Sequence, residues 1–500
     1  MKGKVLRIHP QDSVAVALIK LEAGQTITFD ELTVTLSQTI PQGHKFALQD
    51  IPAHTAVIKY GFPIGNARTA ISKGAHVHTH NLITRLHGEL DYTYRPAIII
   101  PPSEPCDTPS IQAFERADGS IGIRNELWII PTVGCVNKVA AALANWGNQQ
   151  IAAGAFQGVG GVYAWEHPYG CSQLGDDHAR TRTILADLVR HPNAGGVLVI
   201  GLGCENNTIE SFKQELGGFD PHHVCFLATQ QVSDEIAEGR ASLVLLANHA
   251  GKATRRAVSA SRLVVGLKCG GSDGLSGITA NPLVGRICDR LVGIGGSAIL
   301  TEIPEMFGAE DLLLNRCVSK EVHHQLADVV NGFKQYYLDH NQVVYENPSP
   351  GNKEGGISTL EDKSLGCVQK GGTSPVQAVL AYGERVRSPG LNILSGPGND
   401  LVSTTALAAA GAHLVLFTTG RGTPLGCPVP TLKIASNSTL AHEKSGWIDM
   451  DAGRLLEEEP SVVEKDLFSL VLDIASGKAA TKNETNGYRE IAIFKDGVTL

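Results

Sequence analysis

Long apolar runs are missing from this 500-residue chain. A membrane span needs roughly 18 consecutive apolar residues, whereas runs such as 243–247 are only strand-sized, so no membrane partner is expected. His9, Pro10, Gln11 and Asp12 interrupt the first apolar positions, which leaves no continuous stretch of the kind a secretion signal requires. A cytoplasmic location is therefore expected. Blocks of like charge are also missing: the net charge of −8 is spread along the chain, and nothing marks a face for phosphate backbones, so nucleic acid is not an expected partner. Cysteine is sparse, ten in 500 residues and no Cys-x-x-Cys pair, which excludes a disulfide scaffold, a local zinc ribbon and a ferredoxin-type loop. Dinucleotide and nucleotide fingerprints are lacking too. Gly158-x-Gly160-Gly161 and Gly293-x-Gly295-Gly296 have the wrong spacing, and no Gly-x-x-x-x-Gly-Lys-Ser/Thr occurs.

What the chain has is glycine, 55 residues of it, suited to tight loops that pass close to a ligand. Its 42% hydrophobic content implies two or three domains, since single cores stop growing at roughly 250–300 residues. Over residues 1–88 short alternating strands with turn signals, at 14–18, 25–29, 33–36, 54–59 and 76–80, predict a small all-β module. Residues 89–119, with Pro96, Pro101, Pro102, Pro105 and Pro109, read as a linker. Beyond it, near-continuous apolar strands alternate with helical stretches, which predicts a large α/β body with a mostly parallel, Rossmann-like sheet, divided as 120–385 and 386–500.

In open α/β sheets ligands bind beyond the carboxyl ends of strands. Cysteine recurs at such places: Cys135 in Thr132-Val133-Gly134-Cys135, Cys171 in His167-Pro168-Tyr169-Gly170-Cys171, Cys204 in Gly203-Cys204-Glu205-Asn206, and Cys269 in Lys268-Cys269-Gly270-Gly271. One free cysteine is ordinarily a small buried hydrophobe. Four beside glycine in polar loops are expected to hold a soft metal such as iron, as a single ion or a cluster. In an extended strand His76, His78 and His80 face one side, near substrate or as ligands for a divalent ion. The glycine-rich polar stretch around Asn352, Lys353, Glu361 and Lys363 suits a polyhydroxy acid. Arg124 and Asn125 offer a fork for a carboxylate, and Ser395-Gly396-Pro397-Gly398-Asn399-Asp400 opens a predicted helix.

Several long motifs resemble the altronate and galactarate dehydratase family, and they extend over most of the chain. Gly43-His44-Lys45-Phe46-Ala47-Leu48, Lys59-Tyr60-Gly61-Phe62-Pro63-Ile64-Gly65 and His76-Val77-His78-Thr79-His80-Asn81 are similar to its SAF-type β-clip domain. Leu267-Lys268-Cys269-Gly270-Gly271-Ser272-Asp273, Gly351-Asn352-Lys353, Leu360-Glu361-Asp362-Lys363-Ser364-Leu365-Gly366-Cys367 and Gly420-Arg421-Gly422-Thr423-Pro424 are similar to its large domain. The resemblance implies a hydro-lyase acting on a sugar acid, closer to the altronate branch, with iron(II) as cofactor and manganese(II) as a substitute, working as a homodimer. Galactarate dehydration and sulfolactate sulfo-lyase-like chemistry are the alternatives within the family.

Such a reaction needs a base for the C2 proton and a cation for the developing charge. Lys353, Lys268 and His167, in that order, are the candidate bases. Arg124, Asn125, Glu205, Asn206, Ser272, Asp273, Asn352, Glu361, Lys363, Arg421 and the three histidines are candidates for binding substrate, and Cys135, Cys171, Cys204 and Cys269 for binding metal. A thiol redox protein and a non-catalytic sugar-acid-binding regulator are the rivals from other classes.

Overall fold

The computed structural model describes residues 3–98 and 108–499. The amino-terminal part is all β. Val5–Leu6, Val14–Ala17, Lys45–Ala47 and His76–Val77 form an antiparallel sheet in that order, beside a three-stranded sheet of Ala56–Lys59, Phe62–Ala67 and Leu82–Ile83 and a hairpin of Thr26–Phe29 with Leu32–Thr35. Tyr60 and Gly61 both adopt positive φ, 61° and 77°, the tight two-residue turn whose twist matches the strands that it joins. The expected strand at 76–80 is shorter than its sequence suggests. After Val77 the Asn81 side chain accepts from the His78 amide (2.9 Å) and donates to the His76 carbonyl (2.9 Å), which turns the chain before His80.

Pro101, Pro102 and Pro105 of the expected linker lie outside the described residues. The flanks of that stretch are packed. Tyr92 and Tyr94 hydroxyls donate to the Glu310 carboxylate (2.9 Å) and the Cys317 carbonyl (3.0 Å). Ser110–Glu115 is a strand, antiparallel to Arg255–Ser259, with Ile111 and Ala113 inward.

The body contains two parallel sheets. The smaller has the order Val162–Ala164, Glu126–Pro131, Ala194–Gly201, Val224–Ala228. Leu127, Ile129, Leu198 and Ile200 face helices Asn137–Ala152 and Glu235–Ala250. Trp128, Ile130, Val197 and Val199 face Gly175–Val189 and Ile209–Leu216 on the other side. A sheet covered on both faces demands the apolar runs seen in these strands.

The larger sheet has seven parallel strands, ordered Val376–Leu380, Gly390–Leu394, Ser297–Leu300, Val264–Cys269, Leu414–Thr419, Thr431–Ala435, Met450–Asp451. A division at residue 385 is thereby corrected: it separates Val376–Leu380 from Gly390–Leu394, hydrogen-bonded neighbours. The strand–helix grammar is unbroken across that point, and pattern alone does not say which sheet a strand joins. Val264–Cys269 is the first strand in the chain and the middle one in space. Later strands go to one side and then to the other, so strand order reverses between it and Leu414–Thr419, and a crevice opens at the carboxyl ends there. Among the described residues no helix is long and apolar enough to cross a membrane.

Candidate functional site

At that crevice lies a cavity of ≈ 540 Å³ lined by Cys269, Glu305, Asn347, Asn352, Lys353, Lys363 and Asp400. Two short helices build its wall. Ser349 and Asn352 cap the first, Pro350–Glu354, reciprocally: the Ser349 hydroxyl accepts from the Asn352 amide, and the Asn352 side chain accepts from the Ser349 amide. Lys353 therefore stands on a fixed turn, and its ammonium has no hydrogen-bond or ion-pair partner among the described residues. Thr359 caps the second, Leu360–Cys367, every residue of which is buried.

A wholly buried helix with three charged side chains needs a partner for each. Glu361 accepts from the Thr84 hydroxyl (2.9 Å) and the Arg85 amide (2.6 Å). Asp362 accepts from Lys45 (2.8 Å) and Lys59 (2.9 Å). Burial alone would raise the Asp362 carboxyl, but the two ammoniums reverse this and hold it well below the carboxylate range. Lys363 turns the other way and donates to Glu305 (2.7 Å) and Asn347 (3.1 Å). Burial works against the Lys363 charge, yet Glu305 keeps it firmly protonated. The helix thus joins the β module on one side to the cavity on the other. Backbone contact at this joint is close enough to require glycine: a Cβ on Gly356, whose φ is 102°, would stand 2.5 Å from the Gly43 carbonyl oxygen.

Two groups of side chains could hold a metal ion, each with donor atoms within 4.8 Å of one another: His44, His76, His78 and Cys269, Glu305, Cys367. In the first, His44 Nδ1 lies 3.0 Å from His76 Nε2, and the rings of His76 and His78 stack at 5.4 Å. Two of the other four nitrogens are anchored by the body: His44 Nε2 on the Glu354 carbonyl (3.0 Å) and His78 Nδ1 on the Ser358 hydroxyl (2.9 Å). Such outer bonds fix ring orientation and tautomer in metal sites. Burial, aided by neighbouring cations, pushes His76 and His78 down to about 3; they are neutral imidazoles with lone pairs to give.

In the second group the Cys269 and Cys367 sulfurs are 3.9 Å apart, and Cys367 lies 3.3 Å from Glu305. The hydrogen bond from Cys367 lowers the Cys269 thiol, against its burial. Three buried lysines already compensate this pocket, Lys363 on Glu305, and Lys268 and Lys370 on Glu302. Glu302 itself adopts φ 71°, a left-handed conformation that is uncommon outside functional sites. The imidazole group fits a divalent cation better, because no ammonium occupies its donors.

The structure distributes the sequence candidates unevenly. Lys353, Asn352, Lys363 and Cys269 line the cavity. Lys268 lies beneath it, bonded to Glu302, to Asp400 (2.9 Å) and to the Cys269 carbonyl (2.7 Å). Although burial opposes its charge, these carboxylates raise Lys268 further, so it is a fixed cation and a poor base. Ser272 contacts the Cys269 sulfur (2.5 Å). Asp273 shapes a turn through Ser276 and Ser436 (both 2.8 Å), and exposed Arg421 pairs with Glu354 (2.6 Å).

His167 is corrected as a base. Its Nε2 is 2.8 Å from the Pro131 carbonyl and its Nδ1 accepts from the Tyr169 amide (3.1 Å), so both nitrogens pin a loop. Arg124 and Asn125 precede the strand Glu126–Pro131 and so lie at its amino end, opposite the edge where ligands bind. Arg124 pairs with Glu484 (2.6 Å), and buried Asn125 donates to the Gly158 (2.8 Å) and Ala250 (2.9 Å) carbonyls. Glu205 and Asn206 tie neighbouring loops through Thr132 (2.8 Å) and the Ser172 amide (2.9 Å). His80 approaches only His76, with ring centroids 5.6 Å apart. Cys135, Cys171 and Cys204 are exposed on the smaller sheet, apart from the Cys269 group.

His44, Glu305 and Cys367 belong to these two donor groups and were not among the site candidates read from the sequence. For His44 the signal was present: it precedes Lys45–Ala47, the strand that pairs with His76–Val77.

Comparison with known proteins agrees with this architecture. Residues 3–85 match the altronate/galactarate dehydratase SAF domain, 113–251 the second domain of D-galactarate dehydratase/altronate hydrolase, and 260–499 the carboxyl-terminal domain of D-galactarate/altronate dehydratase. The altronate dehydratases of Escherichia coli (strain K12) and Bacillus subtilis (strain 168) are 53% and 48% identical, each over 99% of both chains. A galactarate dehydratase (L-threo-forming) of Escherichia coli is 34% identical over 98% of this chain and 96% of its own. With all three domains matched in order and relatives of this identity over nearly its whole length, the chain belongs to the D-galactarate/altronate dehydratase family of lyases.

Proposed function

We propose that this chain removes water from D-altronate to give 2-dehydro-3-deoxy-D-gluconate. The observation that carries the proposal is the pairing, in one cavity, of a fixed cation with an uncommitted amine: Lys363, held by Glu305, and Lys353, which has no partner among the described residues. A linear sugar acid presents a carboxylate to the first and its C2 hydrogen to the second. The C2 hydrogen is weakly acidic, so the base must lie within hydrogen-bond reach and positive charge must meet the carboxylate as it gains electron density.

Lys353, as the neutral amine, takes the C2 proton and returns it to the departing C3 hydroxyl. Water leaves, the amine is regenerated, and the enol relaxes to the ketone. Asp400, on the cavity wall, would accept from a substrate hydroxyl. His44, His76 and His78 would hold the divalent ion, iron(II) or manganese(II), which would supply Lewis-acid charge there. His44 bonds the carbonyl of Glu354, the residue after Lys353, so the imidazole group and the proposed base share one segment.

Altronate is preferred to galactarate because the altronate dehydratases are the more similar relatives, 53% against 34% identical. The test is a direct assay of purified, iron-supplied protein for a 2-keto-3-deoxy acid with each substrate and no nicotinamide. A higher kcat/KM for D-altronate is expected, and an equal or higher value for galactarate overturns the choice.

A further inference from the structure

Cysteine is among the most often buried residue types. Nine of this chain's cysteines are described, and only Cys135, Cys171 and Cys204 are exposed. All three stand at one edge of the smaller parallel sheet. Cys135 follows the strand Glu126–Pro131, Cys171 follows Val162–Ala164 and Cys204 follows Ala194–Gly201. These strands are direct neighbours, with the Cys135 strand in the middle, and neighbouring strands lie about 4.8 Å apart.

The loops are stitched together beneath the thiols. The Gly134 amide donates to the Tyr169 carbonyl (2.8 Å), the Asn207 amide to the Gly170 carbonyl (3.0 Å), and the Ser172 amide to the Asn206 side chain (2.9 Å). Buried Asn207 also donates to the Thr132 carbonyl (3.0 Å). Glu205 accepts from the Thr132 hydroxyl (2.8 Å) and from the Leu202 amide (3.0 Å). Contact is so close at Gly170 that a Cβ would stand 2.0 Å from the Thr132 carbonyl oxygen. From the loop after the fourth strand, the Gln230 amide donates to the Cys204 sulfur (3.5 Å), the kind of bond that tunes metal-bound thiolates.

We infer that Cys135, Cys171 and Cys204 bind an iron–sulfur cluster. One ion does not suit them. Metal–thiolate bonds of about 2.3 Å put two ligands of one ion no more than roughly 4.6 Å apart. The three sulfurs do not form a group with donor atoms within 4.8 Å of one another, as the imidazole group does. A cuboidal cluster spaces its thiolates more widely. Each thiol releases its proton on ligation, inorganic sulfide supplies the bridges, iron(II) and iron(III) in equal parts supply the metal at the oxidation level of the cluster, and a cluster ordinarily held by four cysteines would here keep one iron without a protein ligand. Exposed thiols at the carboxyl edge of a parallel sheet, where ligands bind, would leave that iron open to an oxygen donor such as hydroxide or a carboxylate. This centre does not depend on the dehydration proposed above.

The test uses the full chain, reconstituted anaerobically with equal amounts of iron(II) and iron(III) and with sulfide. Iron and acid-labile sulfide per chain, the visible charge-transfer absorption and the electron paramagnetic resonance of the reduced sample are measured. Cys135→Ser, Cys171→Ser and Cys204→Ser should each lower labile sulfide at least about tenfold, because a hydroxyl is a poor substitute for a thiolate. Cys225→Ser and the double variant His76→Ala, His78→Ala should keep it. Independently of any variant, alkylation followed by peptide mass analysis should find these three thiols reactive before reconstitution and protected after it. No labile sulfide retained by the unmodified chain, sulfide at the unmodified level in all three serine variants, or unchanged alkylation overturns the inference.

Discussion

Lys45 of the amino-terminal module places its ammonium 2.8 Å from the Asp362 carboxylate of the body, and both side chains are closed to solvent. Lys59 takes the other oxygen of the same carboxylate. Removing the shared partner of two buried ammoniums is expected to be severe. Asp362→Asn should lower unfolding stability by about 3–5 kcal/mol, whereas Lys45→Met, which leaves Lys59 in place, should cost less. Urea midpoints of the two variants decide this; equal losses would show that the carboxylate is not shared in solution.

The imidazole group predicts a contrast between near neighbours. His44→Ala or His76→Ala should weaken manganese(II) binding at least about tenfold, since each removes a ligand. His80→Ala should leave it nearly unchanged, because the turn after Val77 takes that ring out of the group. Titration calorimetry with manganese(II) alone reads this without turnover, and an equal loss for His80→Ala would be the contrary result.

For the amine in the cavity the expectation is kinetic. Lys353→Met should lower kcat by about 100- to 10,000-fold, the range of a general base, with the melting temperature little changed. A rise in KM at constant kcat would instead make Lys353 a binding group.

Lys433 gives a pH prediction. It lies in the strand Thr431–Ala435 with its nitrogen 3.5 Å from the centre of the Phe417 ring and no hydrogen-bond partner among the described residues. Burial pushes it down to about 7. Between about pH 7 and pH 10 the unfolded chain holds the extra proton, so stability from this group rises with pH; below pH 7 both states carry it and the penalty is complete. Lys433→Met should therefore raise the melting temperature, and by more at about pH 6.5 than at about pH 9.5. Equal gains at the two pH values would contradict the shift.

Which features were legible in the sequence follows from how local each one is. The apolar strands of the parallel sheets, the β module and the polar stretch holding Asn352, Lys353 and Lys363 are written in adjacent residues, and the structure places the last three in the cavity. Ser110–Glu115 has the period of two, but the run of prolines before it, up to Pro109, makes it look like linker. Grouping is not local. Cys269 stands at the carboxyl end of a strand, as the other three cysteines stand beyond theirs, yet its strand belongs to another sheet, and its neighbours Glu305 and Cys367 come from distant segments. Arg124 has the chemistry of a carboxylate ligand, but it precedes its strand and so lies at the wrong edge. His80 is lost to a turn closed by the Asn81 side chain and by the Asn81 and Leu82 amides, which donate to the His78 carbonyl.

The buried helix Leu360–Cys367 is a shared internal part: Val14, Ala47, Val57 and Ile64 of the β module pack in the same core as Leu283, Phe307 and Leu360 of the body. Neither piece is therefore finished alone, and the covalent connection between them mainly keeps the two at high effective concentration. A chain cleaved within residues 99–107 should stay assembled through that core and elute as one species. The two fragments made separately should each expose the unpaired halves of the Lys45–Asp362 contact and regain a common melting transition only when mixed.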